Sequence, residues 1–405
     1  MVREFLETYY ETRKNKRRSK DSVEFEMHFE RNILRLVQEL TDHTYTPSSY
    51  TFIVDHPRPR EVFACDMSLR LIDHYLDARL RWPLESELTD RTFNNRIGYG
   101  GIEAINTLIS DIYDVTRGFA KDAWIIKMDL KGYFPNADQG IVYGQLISLV
   151  ERLYHGDDID LVKYLIMISV FSNPTKDCRR VSPLWAWDDY PKEKSLFTKP
   201  DGIGGVIGRL LWQICMNYYI NDIDHYVVDD CGLHYCRFVD DIAIVTDDKE
   251  ACLALIPTIR QMLADKGCTL HPKKFYCQHY TKGVEFIGAT IKRDRVYVNR
   301  RTVRNAFDHL REFNRHPRVR NLEGFMCSMN SYLGIFKGRN AHRITQRFIA
   351  SVDSRWWRWC HYNKERQCIQ ANDGCTHREL VLKRYGINLK VKRHDNKRKN
   401  QRPRG

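Results

Sequence analysis

The chain has 405 residues, 42% of them hydrophobic, with a formal net charge of +13 and a pI of about 9.1. That length supports a large core divided into two or three subdomains, and that apolar share excludes a disordered chain. The cationic excess points to a polyanionic partner, nucleic acid above all, and no apolar run is long enough to span a membrane or serve as a secretory leader.

Residues 1–45 are dense in charge, and their second half carries apolar residues at helical spacing. The run Lys14 to Lys20 reads as a basic patch or a solvated turn. Pro and Ser punctuate YTPSSYTFIVDHPRPREVFACD, which predicts a hairpin. Helices are expected over 66–88 and 101–118. DAWIIKMDLKGYF predicts a buried strand ending at a turn, with Asp129 at its end. Helical patterns follow over 139–170 and 205–228. In YCRFVDDIAIV, β-prone runs flank Asp240 and Asp241, so the pair sits at a hairpin tip, where Asp favours local backbone bonds. A helix is expected over 249–266, then two short strand-like runs, GVEFIGATI and RVYVNRR. From about residue 302 the chain reads as helical and rich in Trp and Arg. Its aromatic and basic run SRWWRWCHYNKER suits base stacking with phosphate contacts, and equally a helix with tryptophans in a core. The tail from Lys383 is dense in Lys and Arg. The twelve cysteines follow no regular framework and read as free thiols in a reducing, cytoplasmic compartment. Cys360, His361, Cys368, Cys375 and His377 lack the CxxC form of a zinc site, so zinc and free-thiol readings both stand.

Asp129, Asp240 and Asp241 place three carboxylates on two strand elements. A turn pair plus a strand-end Asp is the plain structural reading. The chemical reading is two-metal phosphoryl transfer, in which Mg²⁺ ions about 4 Å apart take oxygen ligands from carboxylates on rigid strands. Crowded carboxylates repel, so such a site is stable mainly with metal bound.

On these residues the chain resembles the reverse transcriptases. Those enzymes carry an aspartate followed five residues later by an aromatic, then a Gly-rich helix start, then an aromatic-x-Asp-Asp hairpin. Here these are Asp129 with Phe134, GGVIGRLLWQ, and FVDD. PRPREVFACDMSLRLIDHYL, FNNRIGYGGIEAI, LHPKKF, GVEFIG and NSYLG resemble further family motifs in the right order. The wording IGRLLWQ, with Ile207, Gly208 and Gln213, is similar to the diversity-generating retroelement type, except that Trp212 stands where that type has serine.

The resemblance implies an α+β right-hand polymerase. Its parts are a basic helical extension over 1–45, fingers and an antiparallel-sheet palm over 46–300, a helical thumb over 301–382 and a basic tail over 383–405. It implies an RNA-directed DNA polymerase copying a dedicated RNA into cDNA, and a defence-associated enzyme using a non-coding RNA is the alternative. The three carboxylates and Phe134 argue against a catalytically inert binding protein of the same fold, and Phe134 and Val239 argue for DNA synthesis over an RNA-copying polymerase. It implies two Mg²⁺ ions, or Mn²⁺, on Asp129, Asp240, Asp241 and the Leu130 carbonyl. Arg60 and Arg96 are candidates for the triphosphate, since guanidinium forks bind phosphate in pairs of bonds. Lys274 is a candidate for the pyrophosphate, and Phe134 for a steric gate against the 2′-hydroxyl. Ile207, Gly208 and Gln213 would line the substrate, and an indole at Trp212 near the template would restrict what is copied. Expected partners are a structured RNA, the DNA product, deoxynucleoside triphosphates and an accessory protein or second polymerase subunit.

Overall fold

The structure is a computed structural model that describes residues 1–14, 20–54, 59–176, 178–293 and 295–375. The basic tail from Lys383, most of the Lys14–Lys20 run and His377 lie outside the described residues. The chain divides into two units: Met1–Ile287 with Ile291–Asp294, and Gly288–Thr290 with Arg295–Gly405.

The first unit opens with helices α1 (Val2–Arg13), α2 (Lys20–Glu26) and α3 (Phe29–Thr41). On α3 the apolar stripe Ile33, Leu36, Leu40 is buried, as helical spacing dictates. On α1, Phe5 stacks on Tyr75 with centroids 4.7 Å apart. Strands β1 (Ser49–Val54) and β2 (Arg60–Cys65) form the expected antiparallel hairpin. Helix α4 (Met67–Glu87) starts where the Asp66 side chain accepts the Leu69 N–H, an N-cap that satisfies an orphan donor. Helix α5 (Gly101–Val115) leads to strand β3 (Trp124–Asp129).

Helices α6 (Gln139–Leu153) and α7 (Ile159–Phe171) replace the single helical stretch expected over 139–170. Asp158 leaves helical geometry between them, and its carboxylate is held by Tyr75 and Arg79. Strand β4 (Arg179–Arg180) then joins β1 in parallel. The pattern over 205–228 likewise splits, into α8 (Leu210–Tyr219), α9 (Asn221–His225) and a π turn at Tyr226–Asp230. Its first residues are not helical because Gly204 and Gly208 hold φ of 120° and 113°.

Strands β5 (His234–Phe238) and β6 (Asp241–Thr246) make the second hairpin. The helix expected over 249–266 is two, α10 (Lys249–Ala254) and α11 (Ile256–Ala264), with Pro257 in the first turn of the second. Strand β7 (Tyr276–His279) completes a four-stranded sheet of order β5-β6-β3-β7, antiparallel throughout. Strand β3 lies between β6 and β7 with both faces buried, so IIKMD shows no alternation. Strands β8 (Val284–Phe286), β9 (Ala289–Lys292) and β10 (Arg295–Val298) follow, and the division between the units falls among them.

The second unit contains α12 (Arg300–Arg315), α13 (Leu322–Phe336) and α14 (His342–Ala350). It is not helical to its end. Strands β11 (Cys360–Asn363) and β12 (Cys368–Ala371) pair as a hairpin. The tryptophans of SRWWRW are sorted by burial. Trp356 is fully buried and stacks on Phe325 at 4.1 Å, Trp357 and Trp359 are half-buried, and Arg355 and Arg358 are exposed. The hairpin register pairs Cys360 with Ala371 and Asn363 with Cys368, so alternation puts Cys360 and Cys368 on opposite faces. That geometry contradicts a zinc site built on both. All twelve cysteines are free thiols. Among the described residues no helix is long and apolar enough to cross a membrane.

Candidate active site

The register of β3 on β6 sets Asp129 directly opposite Asp241. Phe238 pairs with Asp241, so Val239 and Asp240 form a two-residue turn. Val239 has a φ of 60°, at the first turn position, where glycine is the usual residue. A β-branched residue there is strained and persists only where its surroundings over-determine it. Arg237 supplies that constraint. Its guanidinium is fully buried and donates to the Val239 carbonyl (3.3 Å) and the Asn217 carbonyl (2.7 Å). It is paired with Asp224 of α9, whose carboxylate also accepts from the Tyr235 hydroxyl (2.6 Å) and the Thr92 hydroxyl (3.0 Å). The aspartate turn thus rests on a buried ion pair.

Backbone bonds fix the neighbouring segments. The Leu130 N–H donates to the Asp240 carbonyl (3.1 Å), and the His271 N–H to the Asp129 carbonyl (2.7 Å). Burial pushes the Asp240 carboxyl up to about 6, and the charges of Asp129 and Asp241 push it the same way. Two lysines offset the other carboxylates. Lys274 Nζ lies 2.5 Å from Asp129 Oδ2. Lys127 Nζ lies 2.5 Å from Asp241 Oδ1 and 3.0 Å from the Met128 carbonyl, and 5.5 Å from the centroid of Phe286. The sequence reading missed Lys127. Strand alternation was the available signal, since Lys127 stands two residues before Asp129 and shares its face.

The donors fit a hard divalent cation: clustered carboxylates on strand ends, one with no lysine of its own. Among the described residues no group of three His, Cys, Asp or Glu side chains is preformed as a cage, and Lys127 and Lys274 hold two of the carboxylates in ion pairs. A cation and a proton compete for Asp240. The Mg²⁺ concentration that half-saturates binding should therefore rise as pH falls through about 6. Titrations of Mg²⁺ on either side of that pH check this, and equal half-saturation points would refute it.

The Phe134 ring is half-buried in the turn after β3, at 6.0 Å from the Tyr133 ring. The Phe134 carbonyl accepts the Gly205 N–H (2.7 Å). On the other side of the same loop the Ile207 carbonyl accepts the Phe63 N–H (2.9 Å). A Cβ at Gly208 would lie 2.7 Å from the Phe63 oxygen. The Gly-rich loop therefore bridges β2 and the Phe134 turn. Gln213 is half-buried, and its carbonyl accepts from the Asn95 amide (3.2 Å). Arg60 is exposed at the start of β2. Arg96 is not brought to the carboxylates: its guanidinium donates to the Thr89 (2.6 Å) and Thr92 (2.9 Å) carbonyls and stacks on Tyr99 at 4.0 Å. The expectation for Trp212 is overturned. Its indole is 1% exposed and packs against Gly205, so it presents no face to a template. The phase of α8, set by Arg209 entering its buried pair with Asp73, turns position 212 inward.

Residues 193–291 match the family described as "Reverse transcriptase (RNA-dependent DNA polymerase)". No curated protein matches the chain. Among solved structures it is similar to telomerase from Candida albicans in complex with a TWJ fragment of telomeric RNA. That match has 13% identity over 76% of this chain and 54% of the other, with a TM-score of 0.45. It is also similar to an apo telomerase from Candida tropicalis truncated from its C-terminal domain. There the identity is 12% over 65% of this chain and 59% of the other, again with a TM-score of 0.45. The chain thus spans little more than half the length of these structures. The matched segment, Glu193 to Ile291, contains the Gly-rich loop and the β5–β6 hairpin with Asp240 and Asp241. The fold is α+β, with Asp129 and Asp241 on its four-stranded antiparallel sheet.

Proposed function

We propose that the chain copies a dedicated structured RNA into cDNA by two-metal nucleotidyl transfer at Asp129, Asp240 and Asp241. The observation that carries this is the register that sets Asp129 opposite Asp241, with Asp240 in the adjoining turn. Divalent ions, when bound, supply acidification of the primer 3′-hydroxyl and neutralisation of the triphosphate. The protein's own part is to hold the ligands. Arg237 fixes the turn that carries Asp240, Lys127 fixes Asp241, and the His271 N–H fixes the end of β3. Lys274, paired with Asp129, would take the leaving pyrophosphate. Arg60 would contact the incoming triphosphate, and Ile207, Gly208 and Gln213 would border the nascent pair. The substrates are deoxynucleoside triphosphates and the product is DNA, in the cytoplasm of the host. The sequence of the Gly-rich loop supports a retroelement of the diversity-generating type, while Trp212 in place of serine leaves room for the defence-associated reading. An accessory protein or second polymerase subunit would complete either assembly.

The test is primer extension on an RNA template with Mg²⁺. No product with any primer or template RNA would refute the proposal. Phe134→Ala in the same assay should reduce discrimination of deoxy- over ribonucleotides by at least about tenfold, roughly 1.4 kcal/mol. An unchanged ratio would remove Phe134 as the gate.

A further inference from the structure

We infer that Trp212 is a positioning residue for sugar selection: through the backbone of Gly205 it sets the height of the Phe134 ring. The inference rests on the reading of Phe134 as the gate.

The contacts form an unbroken chain. The Phe134 carbonyl accepts N–H groups from Gly205 (2.7 Å) and Ala137 (3.2 Å), and the Ala137 carbonyl accepts the Gly204 N–H (2.8 Å). The turn that carries the ring is therefore clamped to the Gly204–Gly205 backbone. Behind that backbone stands the indole. A Cβ at Gly205 would lie 2.9 Å from Trp212 Cε3, 3.1 Å from Cζ3 and 3.2 Å from the Phe134 oxygen. Only glycine fits between indole and turn, so no slack separates them.

The indole has nowhere to retreat. Trp212 stands in the first turn of α8, and Arg209, just before that helix, is held by Asp73 at 2.5 Å and by the Ser169 carbonyl and Ser172 hydroxyl, each at 2.8 Å. The Trp212 Nε1–H is buried with no hydrogen-bond partner. Burying an unpaired donor costs stability, so the side chain is held there for its shape rather than its polarity. Close-packed interiors transmit displacement, and a ring pressed against a sugar discriminates through steep short-range repulsion. A smaller residue at 212 would let the loop sink and the ring with it, opening room for a 2′-hydroxyl.

The experiment measures kcat/KM for a deoxynucleotide and its ribonucleotide counterpart on one RNA template, beside a thermal melt of each variant. Trp212→Ser should reduce the deoxy-to-ribo ratio at least about fivefold, mainly through faster ribonucleotide use. Trp212→Phe, which keeps a ring, should stay near the wild-type ratio. Gly205→Ala should push the turn toward the sugar and raise KM for the deoxynucleotide, and adding Trp212→Ser should relieve that defect. A uniform loss for both nucleotides in Trp212→Ser, or a double variant no better than Gly205→Ala, would overturn the inference. If Trp212→Ser does not fold, Gly205→Ala decides: an unchanged KM overturns the inference. Phe134→Ala separates the two levels. A collapsed ratio there with wild-type ratios in every Trp212 variant leaves the gate standing and removes its prop, whereas an unchanged ratio there removes the gate itself.

Discussion

Asp240→Asn should abolish primer extension, with a loss on the order of a thousandfold, the scale of removing one preorganised charge from a reacting phosphoryl centre. The metal-free protein should nevertheless melt at the same temperature or higher. The sign follows from the direction of the shift. Burial and two neighbouring carboxylates raise the Asp240 carboxyl in the folded chain from 3.8 to about 6. Its contribution to folding is therefore fully present below 3.8 and is lost as pH rises through about 6. Above that pH the charged side chain weighs against the fold, and Asn removes the charge. Asp241→Asn should lose activity and also melt lower, because it leaves Lys127, 6% exposed, without its carboxylate. Primer extension and melts at pH values on both sides of 6 check the pair. Wild-type extension by either variant would sink the site, and a lower melt for Asp240→Asn would sink the electrostatic account.

Asp224→Ala should cost about 3–5 kcal/mol, because it strands the Arg237 guanidinium in a fully buried position. It also removes the acceptor of the Tyr235 and Thr92 hydroxyls. A domain's whole stability is about 5–15 kcal/mol, so a large drop in melting temperature is expected. Replacing both partners, Asp224→Leu with Arg237→Met, should recover much of the stability, since apolar substitutes need no desolvated charge. Activity should not return with it, because the Val239 carbonyl has lost its donor and the strained turn its support. A melt of Asp224→Ala within about 1 °C of wild type would show that the pair is dispensable. Full activity in the double variant would show that the turn holds itself.

The residues that carry chemistry were legible because their signals are local. Asp129 ends an apolar strand and Asp240–Asp241 tips a hairpin, and both patterns fit within a dozen residues. What holds them was not legible. Arg237 finds Asp224 across a helix, a π turn and a strand, and strand alternation alone does not say that Lys127 faces Asp241 rather than solvent. Helix boundaries were blurred where apolar spacing ran on through a break, as at Asp158 and Ile220, where backbone geometry decided the matter. The β11–β12 hairpin was hidden by a run of Trp and Arg that suits a helix as well as a strand. Trp212 shows a further limit: a motif locates a residue along the chain, while the phase of its helix decides where the side chain goes.

The parallel junction of β4 with β1 has a consequence for how the chain is made. Tyr50 pairs with Arg179, Ser49 bonds the Pro174 carbonyl 125 residues downstream, and the Val181 N–H closes on the Thr51 carbonyl at 2.8 Å. A ribosome adding about 5–20 residues per second leaves the outer edge of β1 unpaired for roughly 6–25 seconds before its partner emerges. An exposed strand edge is a template for pairing between nascent chains. The interval falls before the four-stranded sheet is complete, so slower translation should lengthen the exposure of one short hairpin edge.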